Sequence, residues 1–218
     1  MKSKFSLLAL FSVMSLEAGF DGFCVSVSNI AVIGDPSLPI IGAGGELLPL
    51  GTGVVAVGFF ADSDVINPMD FVATLSGFTT FDTEIGGFIE LAPGLFDPTF
   101  ADDIPFGGNE FTGNNITLIF GNGSTLAASD ELAIFESDVV FSSVNVVGLG
   151  GASVPVQTGS GTLLLGNSGG PVNVFAPNDP QNFVPFSDTI QLVSVVPEPS
   201  VALFAGFALL GGFVRRRR

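Results

Sequence analysis

The acidic turn Asp62-Ser63-Asp64 has residue types that could bind a hard cation. Calcium takes oxygen ligands from carboxylates and backbone carbonyls, and two aspartates supply such oxygens here. An EF-hand needs an oxygen ligand at the fifth position and glycine at the sixth, but Ile66 and Asn67 stand there. We therefore interpret these residues as solvated turn carboxylates and expect no cofactor, with a calcium site of another type, built from Asp62, Asp64 and loop carbonyls, as the alternative.

Two further acidic pairs, Asp102-Asp103 and Asp130-Glu131, allow the same two interpretations. A pair of carboxylates could also serve a glycosidase, but such sites need sugar-stacking Trp or Tyr and hydrogen-bonding Arg or His. The chain has no Trp, Tyr or His, and its arginines all lie at the C-terminus. We therefore do not expect a glycosidase, and we interpret Asp130 as capping a turn.

The stretch Gly166-Asn167-Ser168-Gly169-Gly170-Pro171 resembles the nucleophile loop of chymotrypsin-like serine proteases. A serine nucleophile needs a neighbouring base to take its proton. The chain has no histidine, and its two lysines, Lys2 and Lys4, lie in the N-terminal segment. We therefore interpret the stretch as a Gly-Pro turn, assign no catalytic residue, and expect the protein not to be an enzyme.

Metal cofactors other than calcium are disfavoured by composition. Zinc and copper sites are built mainly from histidine and cysteine, and Cys24 is the single cysteine in a chain without histidine. One cysteine also cannot form an internal disulfide. Calcium is thus the one cofactor that we consider.

Charge is distributed unevenly along the chain. All six basic residues lie at the ends, whereas 18 of the 21 acidic residues lie between Cys24 and Val196, which gives this body a net charge of −18. Such a body repels nucleic acid and anionic lipid headgroups and attracts cations. We therefore expect no nucleic-acid partner.

The last residues of the chain form a membrane-directed tail. Pro197 and Pro199 favour an extended segment, and residues 200–214 are apolar, so in lipid they must form a helix. Fifteen residues at helical rise span about 22 Å, which is short for a hydrocarbon core of about 30 Å. A run of four arginines follows, which stops transfer and keeps the C-terminus in the cytoplasm. These membrane-stop residues are Arg215, Arg216, Arg217 and Arg218.

The tail resembles the PEP-CTERM sorting signal of exported bacterial proteins. The resemblance lies in Val196-Pro197-Glu198-Pro199-Ser200, in the apolar run that follows and in the four terminal arginines. The resemblance implies that an exosortase, a membrane-embedded cysteine protease, processes the chain at Pro197, Glu198 and Pro199. It also implies a route through the inner membrane to the cell surface or an extracellular polysaccharide matrix.

The N-terminus predicts export as well. A cationic start, Met1–Lys4, precedes the apolar run Phe5–Leu16, a length typical of a secretory signal peptide. We predict cleavage after Ala18, with Gly22 as the alternative, so signal peptidase is an expected partner. The predicted organisation is a signal peptide over 1–18, an exported domain over 19–195 and the sorting signal with its transmembrane helix over 196–218.

Short apolar segments separated by glycine-rich turns predict an all-β fold for the body, an antiparallel β-sandwich with one short helix. A signal peptide helix and a C-terminal transmembrane helix are expected to flank it. Residues 35–51 and 92–109 are predicted loops. The predicted strands cover residues 24–33, 52–61, 86–91, 115–120, 131–136, 162–165, 171–175 and 189–196.

The single helix is expected after Asn67, which we predict as N-cap, with Pro68 at the first helical position and Asp70 in the first turn. Phe71, Leu75 and Phe78 follow at helical spacing, which predicts a helix of two to three turns with one face packed on the sheet.

Two functions remain open. In the first, the body is a structural or adhesive cell-surface module that the tail sorts into an extracellular matrix. In the second, acidic loops hold calcium and, through it, glycans.

Overall fold

The computed structural model describes residues 23–30, 37–61, 66–67, 69–102, 108–142, 151–176 and 179–195. These ranges contain fifteen strands, one α-helix and a short 3-10 helix at Leu126–Ala128, so the all-β class is confirmed. The strands are β1 (Phe23–Ser28), β2 (Ile40–Ile41), β3 (Val54–Phe60), β4 (Phe78–Thr80), β5 (Ile85–Gly86), β6 (Thr99–Asp102), β7 (Asn115–Gly121), β8 (Glu131–Val140), β9 (Gly151–Pro155), β10 (Gly161–Leu165), β11 (Asn167–Gly169), β12 (Val172–Ala176), β13 (Asp179–Phe186), β14 (Thr189–Gln191) and β15 (Val193–Ser194).

The largest sheet has seven strands in the order β10-β8-β7-β3-β4, with β15 beside β8 and β5 beside β3. All its pairings are antiparallel. Its centre is β7, where Leu118 lies opposite Val57 of β3 and Phe135 of β8. These three strands consist largely of β-branched, aliphatic and aromatic residues, which suit a buried pleated surface.

Two smaller sheets depart from the expected antiparallel pattern. In the sheet β6-β1-β9, β1 pairs with β6 antiparallel but with β9 parallel. In the sheet β11-β14-β2, β14 pairs with β2 in parallel. The segments between parallel partners are long, as such crossovers require, so these pairings join parts of the chain that are distant in sequence.

The seven-stranded sheet is buried on both faces. Along β3, Val55 and Val57 point into one apolar cluster and Val54 and Ala56 into another, as the period of two in a strand requires. The first cluster includes Val25 of β1 and therefore lies between the seven-stranded sheet and the sheet β6-β1-β9. The second is covered in part by the helix.

Phenylalanine rings fill much of the first cluster. Phe81 lies 5.6 Å from Phe111 and 5.9 Å from Phe23 between ring centroids, both edge-to-face. Phe96 packs edge-to-face on Phe88 at 5.0 Å. Edge-to-face contacts suit the quadrupole of the rings, so this core combines burial with directional packing.

Helix α1 spans Phe71–Ser76, and the prediction that Asn67 is its N-cap is wrong. Asp70 is the N-cap, since its Oδ1 accepts a hydrogen bond from the Ala73 N–H at 2.9 Å. Asn67 instead forms the preceding turn, because its Oδ1 accepts from the Met69 N–H. Phe71 and Leu75 lie partly buried against the second cluster, as expected. Phe78, predicted on the same helix face, instead begins β4, because the helix ends at Ser76.

Several other local predictions are corrected by the described residues. Of the strand expected over residues 86–91, only Gly86 lies in a strand, at the end of β5, while β6 lies within the loop predicted over residues 92–109. β2 interrupts the loop predicted over residues 35–51, and the sequence predicts neither β9 nor any part of β13. Within the described ranges, no helix is long and apolar enough to cross a membrane.

We predict that Phe96→Ala lowers the free energy of unfolding by about 3–5 kcal/mol, since Phe96 is fully buried and its removal leaves a cavity. Phe175→Ala, at a ring that is 45 % exposed, should cost less than about 1 kcal/mol. Urea unfolding followed by far-ultraviolet circular dichroism measures both, and equal losses would contradict the assigned core.

Candidate functional site

Most residues predicted from the sequence to carry function lie outside the described residues. This applies to Asp62 and Asp64 of the candidate calcium site and to the sorting motif Pro197, Glu198 and Pro199. It applies equally to the four membrane-stop residues, which are Arg215, Arg216, Arg217 and Arg218. These assignments therefore stay predictions.

Of the acidic pair Asp102-Asp103, Asp102 ends strand β6, opposite Phe23. Asp103 lies outside the described residues.

The pair Asp130-Glu131 closes the connection between β7 and β8. Asn122 Oδ1 accepts hydrogen bonds from the backbone N–H groups of Asp130 and Glu131, both at 3.2 Å, and Asn122 Nδ2 donates to Asp130 Oδ1 at 2.6 Å. Glu131 Oε2 accepts from the Ala43 N–H at 3.0 Å. Both carboxylates thus hold loops in place.

The stretch Gly166–Pro171 was predicted to be a Gly-Pro turn, and this prediction is wrong. Residues Asn167–Gly169 form β11, which pairs antiparallel with β14, and Ser168 lies opposite Ile190. Gly166 precedes this strand with a φ of 116°, a conformation that favours glycine. Glycine is therefore favoured at position 166 because the chain enters β11 through a positive φ.

An open cleft of about 560 Å³ lies beside β4 and β5. Such a volume lies within the range of small-molecule sites. The cleft is lined by Ala56, Thr80, Phe81, Asp82, Thr83, Glu84 and Leu126. β4 and β5 pair with different parts of β3, and Ala56 lies in the short stretch of β3 between these parts. This stretch forms the floor of the cleft.

Asp82 is positioned by backbone donors from two segments. Its Oδ1 accepts from the N–H of Thr83, and its Oδ2 accepts from the Ala101 N–H in β6 at 3.1 Å. The carboxylate therefore links the segment after β4 to the three-stranded sheet.

Glu84 forms the opposite wall together with the 3-10 helix at Leu126–Ala128. Its Oε2 accepts from the Leu126 N–H at 2.9 Å. Thr125 caps the same helix, because its Oγ1 accepts from the Ala128 N–H at 3.1 Å. A helix start has backbone N–H groups without helical partners, and Glu84 satisfies one of them.

The chemistry available in this cleft is that of hydrogen-bond acceptors and hydroxyl groups. Asp82 and Glu84 can accept from hydroxyl or ammonium groups, and Thr80 and Thr83 can donate or accept. Across the described ranges, no group of three or more His, Cys, Asp or Glu side chains could hold a metal ion. The sequence does not predict this cleft. The polar stretch Asp82-Thr83-Glu84 between two apolar segments is the one local feature that coincides with it.

Two side chains have perturbed acidity. Burial raises the pKa of the Cys24 thiol, which disfavours its thiolate. Desolvation also raises the pKa of the Asp97 carboxyl, and its hydrogen bond with Ser28 lowers it in part. Neither group lines the cleft.

Comparison with known protein families, characterised proteins and solved structures gave no match.

We predict that Glu84→Ala lowers the free energy of unfolding by about 1–3 kcal/mol, because the partly buried Leu126 N–H loses its acceptor. Glu84→Gln keeps an acceptor oxygen and should lose less. Urea unfolding of both variants tests this. An equal loss in the two would show that the charge of Glu84, and not its hydrogen bond, supports the fold.

We predict that Asp97→Asn stabilises the protein at neutral pH. A carboxyl whose pKa is raised by folding gives stability that is complete below its ordinary pKa of about 3.9 and is lost as the pH rises through the raised folded value. The gain should therefore shrink in acid. Asp97 is itself exposed, so solvent keeps this gain small. Asp138→Asn removes the same charge at another exposed position, and an equal gain there would attribute the effect to net charge alone.

Proposed function

We propose that the protein is an exported bacterial cell-surface or extracellular-matrix structural protein, sorted by an exosortase through Pro197, Glu198 and Pro199. In this proposal, signal peptidase removes the N-terminal segment. The tail then anchors the chain transiently in the inner membrane, with the body in the periplasm and Arg215–Arg218 on the cytoplasmic side. Processing at the tail delivers the body to the cell surface or the polysaccharide matrix outside.

The tail carries this proposal, with Val196-Pro197-Glu198-Pro199-Ser200 followed by an apolar run and four arginines, and the described strands are compatible with it. Phe23, the first residue of β1, is buried, and so is Val195, whose N–H donates to the Asp130 carbonyl at 2.8 Å. The described strands thus begin after both candidate signal cleavage positions and end before Val196-Pro197. Removal of either predicted processing segment leaves every described strand whole.

A finer fold assignment belongs to the same proposal: the body is a β-sandwich, antiparallel throughout its seven-stranded sheet but with β1 and β9 parallel in the other layer, between a signal-peptide helix and a transmembrane helix. The first apolar cluster supports it, since it contains Val25 and Val154 of the sheet β6-β1-β9 together with Leu118 of the seven-stranded sheet. Two sheets that bury one shared core are the defining arrangement of a sandwich.

A structural role also fits the way in which acidic side chains are used. Asp82 and Glu84 line the cleft, yet both accept hydrogen bonds from the backbone and fix loops. The calcium-dependent glycan-binding alternative depends on Asp62 and Asp64. No contact within the described residues favours it.

We predict that replacing Pro197, Glu198 and Pro199 together by alanine leaves export intact but blocks processing, so that the chain stays in the membrane fraction. The reason is that two prolines keep this segment extended, whereas alanines let the following helix continue through it. Cell fractionation with immunoblotting measures the distribution. Ser200→Ala in the same tail is the matched control, and unchanged delivery of the triple variant would remove the sorting assignment.

A further inference from the structure

Two phenylalanine rings on the hairpin β12–β13 lie at the surface. Phe175 and Phe183 are opposite each other in the hairpin, with ring centroids 5.7 Å apart. They are 45 % and 48 % exposed, whereas the rings of the first apolar cluster are buried. Pairs of exposed aromatic rings are costly in water and often mark interaction sites.

The opposite face of the hairpin anchors it to the body. Val174 and Phe186 are buried and form a third apolar cluster with Ala92. On the outward face, Phe175 and Phe183 are accompanied by exposed Asn173 and Pro185, which are also opposite each other. We call these four residues the Phe175–Phe183 surface. Its rings project from a strand pair that is fixed from behind.

The body that carries this surface is anionic, since 18 of the 21 acidic residues lie between Cys24 and Val196. No lysine, arginine or histidine lies between Phe5 and Val214 to offset these charges. A body with this charge draws cations to its surface.

We propose that the Phe175–Phe183 surface binds a segment of another protein that presents arginine or lysine beside apolar side chains. Aromatic faces attract guanidinium and ammonium groups through their quadrupole, and the negative charge of the whole body adds long-range attraction. Apolar side chains of the same segment cover the rest of the rings. This inference is independent of the sorting proposal, because it concerns the folded body and not the tail.

The negative charge of the body argues against the other molecules that could cover this surface. A second copy of the chain brings another anionic body, and nucleic acid or an anionic glycan is repelled in the same way. A neutral glycan could pack on the rings but gains nothing from the negative field. The cationic, partly apolar segment is the one occupant that uses both features of this surface.

The test uses the full chain in a non-ionic detergent and a short, fluorescently labelled peptide that alternates arginine with leucine. Fluorescence anisotropy should show binding that weakens as salt is added, because salt screens the attraction. Phe175→Ala combined with Phe183→Ala should weaken it about tenfold through the lost ring contacts. Met69→Ala combined with Val72→Ala removes two apolar side chains that are even more exposed, near and on α1, and should leave binding unchanged.

Three results would overturn the proposal. One is unchanged affinity of the double phenylalanine variant, with its fold verified by circular dichroism. Another is equal binding of a peptide in which glutamate replaces arginine. The third is self-association of the chain in sedimentation experiments that the double phenylalanine variant abolishes, since this would assign the surface to a second copy.

Discussion

The carboxylates of the described body are held by amide donors, because no cationic side chain lies in that part of the sequence. Glu131 accepts from the backbone of Ala43, Glu84 from Leu126, Asp82 from Ala101 and Asp70 from Ala73. Hydrogen bonds from N–H groups to a charged oxygen are stronger than neutral ones. They order the backbone while leaving the negative charge uncompensated, so the body can be both well connected and strongly anionic.

These contacts join segments that are distant in the sequence. Ala43 is held twice, since its N–H donates to Glu131 and its carbonyl accepts from Gln191 Nε2 at 2.9 Å. The buried Asn29 plays a similar role without charge, because its amide donates to the Leu38 and Gly94 carbonyls and accepts from the Phe96 N–H. In a protein with many turns, such polar links keep the loops packed on the sheets.

The strands with regular apolar patterns could be predicted from the sequence, as β3, β7 and β8 show. The missed elements lack such patterns: β9 begins with glycine and ends with proline, and β13 contains two prolines. Their pairing depends on distant partners, which a local pattern cannot identify. The N-cap was misplaced for a related reason, since Asn67 and Asp70 are both good caps and the tertiary position of α1 selected the second. The cleft could not be predicted because Glu84 meets Leu126 only through the fold.

The last described strand has a mechanical consequence. β15 contains only Val193 and Ser194, which lie antiparallel to Leu132 and Glu131 of β8. Tension applied at the C-terminal end of the body enters through this two-residue ladder before it reaches the longer strands. β15 should therefore detach first and lengthen the tether by a few residues, while β7 and β8 remain paired.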